Sequence, residues 1–456
     1  MRSFDYDLFV IGAGAGAARA ARMAAARGVR VALAGHSCAG NVDVDACGLT
    51  RKRLIQAVHD ANGSRPGAGH RGRLASGFDW KALVAIRSGE IQRLSHADLD
   101  ALEQSGCHQL AGHAALVGPH AVRVGAHEVS AERILIATGG LPCVPDFPGH
   151  EHALTSDEIF SLEALPPHAV IIGGGYAAVE LAGMLADLGV EIELVCRDNL
   201  FLSGFDDEVR RVAAREIGRN GILLRFSSEV AGIDQVPRGA LRVRLRNGDE
   251  IATGCVICAS GRRPNVSGLG LDNTAVVQDA ESGAIVVDEY FQTAEPSIFA
   301  IGDVIGRGGL TPVVISEAEN LISELYGDGA LPLNYDRVPT AVFSRPGIGM
   351  IGLTESQAMD RYADIAVCKS MFSPLKHSLR EGGAQTLIKL IVEPESDRVV
   401  GVHMVGPDAG EIIQGFVPAL DSGTTRAILD ATMGARPRGA KAFVMVRDAV
   451  CRAFRV

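Results

Sequence analysis

Two glycine-rich clusters are the residues whose types and spacing point most directly to a chemistry. One is Gly12-Ala13-Gly14-Ala15-Gly16-Ala17, and the other is Gly173-Gly174-Gly175-Tyr176-Ala177-Ala178. In this spacing the first glycine makes a tight turn and the second lets backbone amides approach a pyrophosphate. A small residue at the last position, such as Ala17, lets a helix pack closely on a strand. Both clusters are therefore predicted to bind the phosphates of a dinucleotide.

The segments around each cluster supply the elements that must position it. Apolar runs at 8–11 and 169–172 read as buried strands, and a helix-forming stretch follows each cluster. The N-terminus of such a helix stabilises a bound phosphate. One glycine turn of this kind is weak evidence, because such turns also occur for structural reasons. Two in one chain predict an α/β protein with two Rossmann-like domains, which commonly hold FAD and NAD(P).

The strand after each helix bears on which dinucleotide binds. After the second cluster, the predicted strand 191–197 has Arg197 at its end, where a cation suits the 2′-phosphate of NADPH. We therefore expect NADPH rather than NADH, the alternative being that Arg197 is a solvated strand end. After the first cluster, Ala34 and Gly35 stand where an acid for the adenosine ribose of FAD is expected. The missing hydrogen bond should weaken FAD binding by on the order of 1 kcal/mol.

Composition excludes several classes of partner. The chain has 456 residues, a formal net charge of -10 and 47% hydrophobic residues, which disfavours a nucleic-acid or anionic-membrane surface. Its start is unlike a signal peptide and no apolar run is long enough to span a bilayer, so a cytoplasmic protein is expected. The cysteines should then be mostly reduced thiols. Cys255 and Cys258 form a CxxC, but they lie in a predicted buried strand and are expected to pack rather than to bind metal.

Further segments, in the same order along the chain, resemble those of bacterial glutathione reductases and of the wider family of flavin-dependent disulfide reductases. Segments 134–140 and 298–303 resemble two strands that contact FAD, and 310–313 resembles the helix start beneath the flavin ring. Segment 259–265 is similar to the turn that closes the NAD(P) domain. The residues that the resemblance places at the cofactors in these segments are Thr138, Gly139, Arg262, Asp303 and Thr311.

The resemblance implies a layout of three domains. An FAD domain covers 1–150 and resumes at 285–332, an NAD(P) domain covers 151–284, and an α+β dimerisation domain covers 333–456. It also implies a homodimer, because in this family the C-terminal segment of one subunit completes the active site of the other.

The dithiol of the family is incomplete in this sequence. Disulfide reduction uses one cysteine that attacks the substrate and a second that exchanges electrons with the flavin. The second is present as Cys47, whereas Val42 stands in place of the first. Valine cannot form the mixed disulfide on which exchange depends. Cys38 is an alternative thiol, but it lies four residues upstream of Val42, and two sulfurs must come within about 2 Å to bond.

The family's proton-transfer and substrate residues also differ. Arg436 stands for a histidine and Lys441 for the glutamate that pairs with it. A guanidinium stays protonated and cannot act as a base. The alternative is that both are ordinary surface charges. Glu319 stands where an arginine faces a glutathione carboxylate, so repulsion of glutathione disulfide is expected.

Residues that serve the transfer of hydride from nicotinamide to flavin are retained. Tyr176 occupies the place of the family's gate residue over the flavin, and Glu180 that of an acid paired with a basic residue near flavin N5. The basic residue is expected at one of two positions, which Thr50 and Arg51 occupy here. Arg51 is the predicted partner of Glu180, because threonine is not basic. The other interpretation is that both are leftover helix residues.

These features support a main hypothesis and an alternative. The main one is an oxidoreductase that passes electrons from NAD(P)H through FAD, and through Cys47 acting alone, to a small-molecule substrate other than a disulfide. A variant reverses the electron flow and oxidises an anion held by Arg436 and Arg438. The alternative is a catalytically degenerate reductase fold that serves as a dimeric nucleotide-binding or regulatory protein. An active glutathione reductase is the disfavoured interpretation, because the attacking thiol is missing.

Overall fold

A computed structural model describes residues 4–35, 49–63, 79–307, 309–330, 332–373, 385–433 and 450–455. The chain divides into two compact units. Unit 1 comprises Met1–Leu54, Lys81–Cys143 and Arg262–Leu333, and unit 2 comprises Ile55–Trp80, Val144–Gly261 and Asn334–Val456. The first glycine cluster lies in unit 1 and the second in unit 2. The finer division into three domains stays a prediction.

The described chain opens with a strand, a helix and a strand, and further helices are interspersed with longer runs of strands. The described helices are α1 (Ala15–Ala25), α2 (Leu49–Gly63), α3 (Trp80–Gln104), α4 (Tyr176–Asp187), α5 (Asp207–Arg219), α6 (Thr311–Tyr326), α7 (Glu355–Arg361), α8 (Ala409–Asp421) and α9 (Arg426–Ala431). The strands up to the second cluster are β1 (Tyr6–Ile11), β2 (Val31–Gly35), β3 (His108–Ala111), β4 (Ala114–Gly118), β5 (Ala121–Val124), β6 (His127–Ile136), β7 (Gly140–Pro142), β8 (Leu154–Thr155) and β9 (His168–Ile172). The next are β10 (Glu191–Val195), β11 (Leu223–Arg225), β12 (Val230–Gln235), β13 (Leu241–Leu245), β14 (Glu250–Thr253), β15 (Cys255–Cys258), β16 (Arg262–Pro264) and β17 (Ile298–Ala300). The last are β18 (Thr340–Val342), β19 (Ile348–Gly352), β20 (Asp364–Phe372), β21 (Thr386–Glu393), β22 (Arg398–Val405) and β23 (Val450–Arg455).

A parallel sheet forms the centre of unit 1. Its order is β3-β2-β1-β6, with β17 joining β6 on the far side, and the antiparallel hairpin β4-β5 extends from β6. Consecutive residues of β1, Leu8 to Val10, are fully buried. Burial of successive side chains means that both faces of the sheet are covered, as is usual for parallel strands. The glycine turn therefore lies at the carboxyl edge of a buried sheet.

Unit 2 contains a second parallel sheet and two antiparallel ones. The parallel sheet has the order β11-β10-β9-β15-β8. The first antiparallel sheet is small and has the order β12-β13-β14. The antiparallel sheet β18-β19-β22-β21-β20-β23, with helices α7 to α9 between its strands, matches the predicted α+β C-terminal region.

The described cysteines are mostly free thiols. Cys255 and Cys258 are buried in β15 and are not joined by a disulfide, so the predicted packing role is confirmed. Cys368 on β20 is disulfide-bonded, which departs from the expectation of reduced thiols, and Cys451 of β23 stands opposite it in the strand register. Among the described residues no helix is long and apolar enough to cross a membrane.

Candidate cofactor-binding sites

The first glycine turn uses its two leading glycines for different purposes. Gly12 has a φ of 130°, and a Cβ there would lie 2.2 Å from the carbonyl oxygen of Ala137. Only glycine fits this turn, because any side chain would collide with backbone. Among the residues that the structure describes, a Cβ on Gly14 would meet no atom within 4 Å. Gly14 caps α1 without a side-chain hydrogen bond, so the first-turn amides face an open approach suited to a pyrophosphate.

The close packing of α1 depends on Gly16. A Cβ on Gly16 would lie 2.5 Å from Cγ2 of Val314 on α6. Ala17, to which the sequence pattern assigns the packing role, is buried as predicted. The contact with α6 is thus an additional constraint, and it holds the two helices of unit 1 side by side.

Thr138 and Gly139 form the turn after β6. The hydroxyl of Thr138 donates to the carbonyl oxygen of Asn265 at 2.7 Å, and the amide of Asn265 donates to the carbonyl of Gly139 at 3.0 Å. Gly139 has a φ of 69°, in the left-handed region that favours glycine. The turn is thereby tied to the segment that follows β16.

Asp303 lies in a 3₁₀ turn, Gly302–Ile305, directly after β17. The Nε of Arg262 lies 3.5 Å from Oδ2 of Asp303, and Arg262 also donates to the carbonyl oxygen of Gly140. The sequence places Arg262 in the turn that closes the NAD(P) domain, whereas the structure groups it with Asp303 in unit 1. The carboxylate of Asp303 can also accept a hydrogen bond from a ligand hydroxyl.

Glu317 is a residue of this site that the sequence analysis missed. Its Oε2 accepts a hydrogen bond from the amide of Gly302 at 2.7 Å, and the side chain is buried. Glu317 thereby attaches the turn that contains Asp303 to helix α6. This helix begins at Thr311, as predicted. A signal was available, because Glu317 falls four residues before the buried Leu321 on the apolar face of that helix.

Glu319 carries a charge that the structure balances. Its Oε1 lies 2.8 Å from Nε and 2.5 Å from Nη2 of Arg19 on α1, and both side chains are about two fifths exposed. The expected repulsion of a glutathione carboxylate by Glu319 is therefore weakened by a neighbouring cation. The sequence could not reveal this pair, because it depends on the packing of α1 on α6.

The second glycine turn repeats the design of the first. Gly173 has a φ of 144°, and a Cβ there would lie 2.3 Å from the carbonyl oxygen of Ala259. A Cβ on Gly175 would meet no atom of the described chain within 4 Å, and Gly175 caps α4 without a side-chain bond. Helix α4 begins at Tyr176, so its first-turn amides are positioned for phosphate in the same way.

Arg197 follows β10 and is mostly exposed. Its side chain is 81% exposed, and its Nε lies 3.8 Å from Oδ1 of Asp198. A cation this accessible at the end of the strand is open to a ligand phosphate, and its contact with a 2′-phosphate stays a prediction. Its neighbouring carboxylate would oppose that phosphate, unless Asp198 turns away when the nucleotide binds.

Glu180 is fully buried on α4, and its Oε1 accepts a hydrogen bond from the amide of Phe343 at 3.1 Å. Arg51 is also buried. Their pairing with each other stays a prediction, as does the gating role of Tyr176. The predicted residues Cys38, Val42, Cys47, Arg436, Arg438 and Lys441 lie outside the described residues.

Known protein families match this chain over most of its length. Residues 6–319 match the family model described as pyridine nucleotide-disulphide oxidoreductase. Residues 338–447 match the dimerisation domain of the same family.

Similar proteins include two bacterial glutathione reductases. That of Burkholderia cepacia is 41% identical over 98% of this chain and all of its own length. That of Nostoc sp. (strain PCC 7120) is 37% identical over 98% of this chain and all of its own length. Among solved structures, the HOCl-induced flavoprotein disulfide reductase RclA from Escherichia coli is 26% identical, with a TM-score of 0.85. That likeness covers 97% of this chain and 99% of the other.

Proposed function

This chain belongs to the pyridine nucleotide-disulphide oxidoreductase family, and we propose that it passes electrons from NADPH through FAD to a small molecule other than a disulfide. Membership confirms the oxidoreductase class, the fold class and the predicted cofactors FAD and NADPH. The chain carries the family's dimerisation domain, and we propose that it forms a homodimer.

Each glycine turn has a separate task in this proposal. The amides at the start of α1 would hold the pyrophosphate of FAD, and Asp303, paired with Arg262, would accept a hydrogen bond from one of its hydroxyls. The amides at the start of α4 and the cation of Arg197 would hold NADPH. The chemistry that FAD would supply when bound is the acceptance of hydride from the nicotinamide and the onward transfer of electrons.

The residue that carries the proposal is Val42. Reduction of a disulfide begins when a thiolate attacks one sulfur, and it ends when a second thiol resolves the mixed disulfide. The chain offers Cys47 for one of these steps and valine for the other. Cys47 alone can still donate to the flavin, or cycle through a sulfenic acid with a peroxide.

The proton chemistry supports the same conclusion. Release of a thiolate from a reduced disulfide is assisted by a histidine that carries a proton, and Arg436 stands at that position. A guanidinium cannot exchange its proton near neutral pH, but it can hold an anion. An anionic or neutral acceptor that needs no such shuttle fits these residues better than glutathione disulfide.

Reduction of glutathione disulfide is the second candidate function, and the names of the Burkholderia and Nostoc relatives favour it. The two candidates differ in whether glutathione disulfide reoxidises the reduced flavin. Catalytic degeneracy is the remaining alternative, in which the chain binds nucleotides as a dimeric or regulatory protein without turnover.

The test is an anaerobic titration followed by mixing with acceptors. FAD-loaded protein is reduced with NADPH and then mixed separately with glutathione disulfide, a quinone and hydrogen peroxide, while flavin absorbance is recorded. We expect the quinone or the peroxide to restore the oxidised spectrum and glutathione disulfide to leave it bleached.

Reoxidation by one equivalent of glutathione disulfide would overturn the proposal. The variant Cys47→Ser distinguishes the two permitted routes, because it should slow reoxidation by peroxide only if the thiolate takes part. A protein that NADPH does not bleach would support the non-catalytic alternative.

A further inference from the structure

The loop that joins β10 to α5 carries Arg197, and one residue of this loop is held in an unusual conformation. Leu202 has a φ of 58° although it is not a glycine, and its side chain is buried. Left-handed backbone is unfavourable for such a residue and persists only where the surroundings fix it. The loop therefore depends on contacts that lie outside it.

Arg210 on α5 supplies two of these contacts. Its Nε donates to the carbonyl oxygen of Phe201 and its Nη2 to that of Leu200, both at 2.8 Å. Its Nη1 pairs with Oδ1 of Asp207 at 2.7 Å, so all three guanidinium nitrogens are engaged. The side chain is mostly buried. Two neighbouring carbonyls suit the planar fork of a guanidinium, and an ammonium group could not reproduce that geometry.

The loop is also bonded to the second glycine turn. The amide of Leu202 donates to the carbonyl oxygen of Gly174 at 2.6 Å. Near the start of the loop, the amide of Ser227 donates to the carbonyl of Asp198 at 2.9 Å. Hydrogen bonds thus attach the loop to the second glycine turn, to the segment that follows β11 and to α5. These bonds set the distance between the pyrophosphate amides and Arg197.

We propose that Arg210 is a positioning residue for the selection of NADPH over NADH. It acts through the loop, because its own nitrogens are occupied by protein groups. With the loop fixed, the cation of Arg197 is already in place when the nucleotide arrives, and binding costs little ordering of the chain. Without Arg210, Leu202 can relax to an ordinary conformation, and Arg197 is then held from one side only, through the backbone bonds of Cys196 and Asp198 to residues 225–228. The inference rests on the proposed assignment of Arg197 to the 2′-phosphate.

The proposal predicts a loss that is confined to the phosphorylated nucleotide. NAD⁺ lacks the 2′-phosphate and gains nothing from a fixed Arg197. Arg210→Met should weaken NADP⁺ binding roughly tenfold, the equivalent of one lost charge-assisted contact, and should leave NAD⁺ within about twofold. Arg210→Lys keeps the charge but loses the fork, so its loss should be intermediate.

The experiment measures dissociation constants of NADP⁺ and NAD⁺ by calorimetry on the FAD-loaded full chain, which requires no electron acceptor. Arg211→Met is the matched control, because Arg211 is the adjacent arginine of α5 and is exposed. It should leave both constants unchanged. Thermal unfolding of every variant is recorded beside the titrations, so that a general loss of folding is recognised.

Arg197→Met separates the two levels of the argument. If this variant leaves the ratio of the two constants unchanged, the proposed assignment of Arg197 fails. If it removes the preference for NADP⁺ but Arg210→Met and Arg210→Lys do not reduce it, the positioning role is overturned. Equal weakening of both nucleotides by Arg210→Met, with a lowered unfolding temperature, would also overturn it, because Arg210 would then be merely structural.

Discussion

Replacing Lys389 with methionine removes a buried cation that joins the starts of α5 and α7 to strand β21 of unit 2. The side chain of Lys389 is 1% exposed, and its Nζ lies 2.8 and 2.9 Å from the two carboxylate oxygens of Asp206. The same nitrogen lies 2.5 Å from Oε2 of Glu355 on α7. Burial lowers the pKa of Lys389, but the two carboxylates outweigh burial and raise it above the usual value. The lysine is therefore charged throughout the working range of pH.

The loss of stability expected for Lys389→Met depends on Asp206, the carboxylate that stays buried. Asp206 is 1% exposed and caps α5, where its Oδ1 accepts from the amide of Glu208 at 3.0 Å. Removing one member of a buried ion pair usually costs about 3–5 kcal/mol, because the other charge remains without compensation. The capping amides still stabilise this carboxylate, so we expect a loss near the lower limit, about 3 kcal/mol.

Lys369 provides a matched control on the neighbouring strand. It stands opposite Lys389 in the register of β20 and β21 and pairs with Oε1 of Glu208 at 2.5 Å, but its side chain is 38% exposed. Exposed pairs contribute about 0–1 kcal/mol, so Lys369→Met should lose no more than that. The two variants change the same residue type in the same sheet and differ in burial.

The assay is urea unfolding of the FAD-loaded protein at pH 7, with far-UV circular dichroism and flavin fluorescence recorded together. Two probes are needed because a chain with two units need not unfold in one step. Asp206→Asn combined with Lys389→Met should regain part of the loss, since asparagine still caps a helix and carries no charge. Equal losses for Lys389→Met and Lys369→Met, or full additivity in the double variant, would refute the reasoning.

Three further predictions concern the cofactor, the pH dependence and the acceptor. Gly14→Ala should keep the fold and lose most bound FAD, because the added methyl meets no atom of the described residues but occupies the approach of the pyrophosphate; an unchanged flavin content after purification would contradict this. His403 is fully buried and burial lowers its pKa, so the unfolded chain takes up a proton below about pH 6.5 that the folded chain resists, and stability falls as the pH is lowered. His403→Gln should flatten the unfolding temperature between pH 7 and 5, and identical slopes would count against the assignment. Glu319→Gln frees Arg19 and should raise kcat/KM a few-fold for an acceptor with a carboxylate while leaving a quinone unchanged, which steady-state kinetics can decide.

Local features of the site were predictable from the sequence because their requirements are local. A tight turn between a strand and a helix needs glycine at its first position, and Gly12 and Gly173 show the positive φ that this turn demands. The starts of α4 at Tyr176 and of α6 at Thr311 follow from the same kind of local signal.

Charge pairing was not predictable, because it depends on segments that are far apart in the chain. Arg19 and Glu319 are separated by 300 residues and meet only when α1 packs on α6. Asp206 and Lys389 are 183 residues apart and are brought together by the folding of unit 2. The sequence gives the charge of each residue but not its partner, so it predicted repulsion at Glu319 where the structure has an ion pair.

The two open glycines bear on whether the nucleotide sites are in use. Gly14 and Gly175 have φ values of -77° and -82°, which any residue can adopt, and a Cβ on either would touch no atom of the described residues. The fold alone therefore gives no reason for glycine at these positions. A dinucleotide does, because its pyrophosphate must come close to the backbone there. Both turns combine one glycine that the fold requires with one that only a ligand requires, and this combination favours a chain that binds two dinucleotides over an unoccupied reductase scaffold.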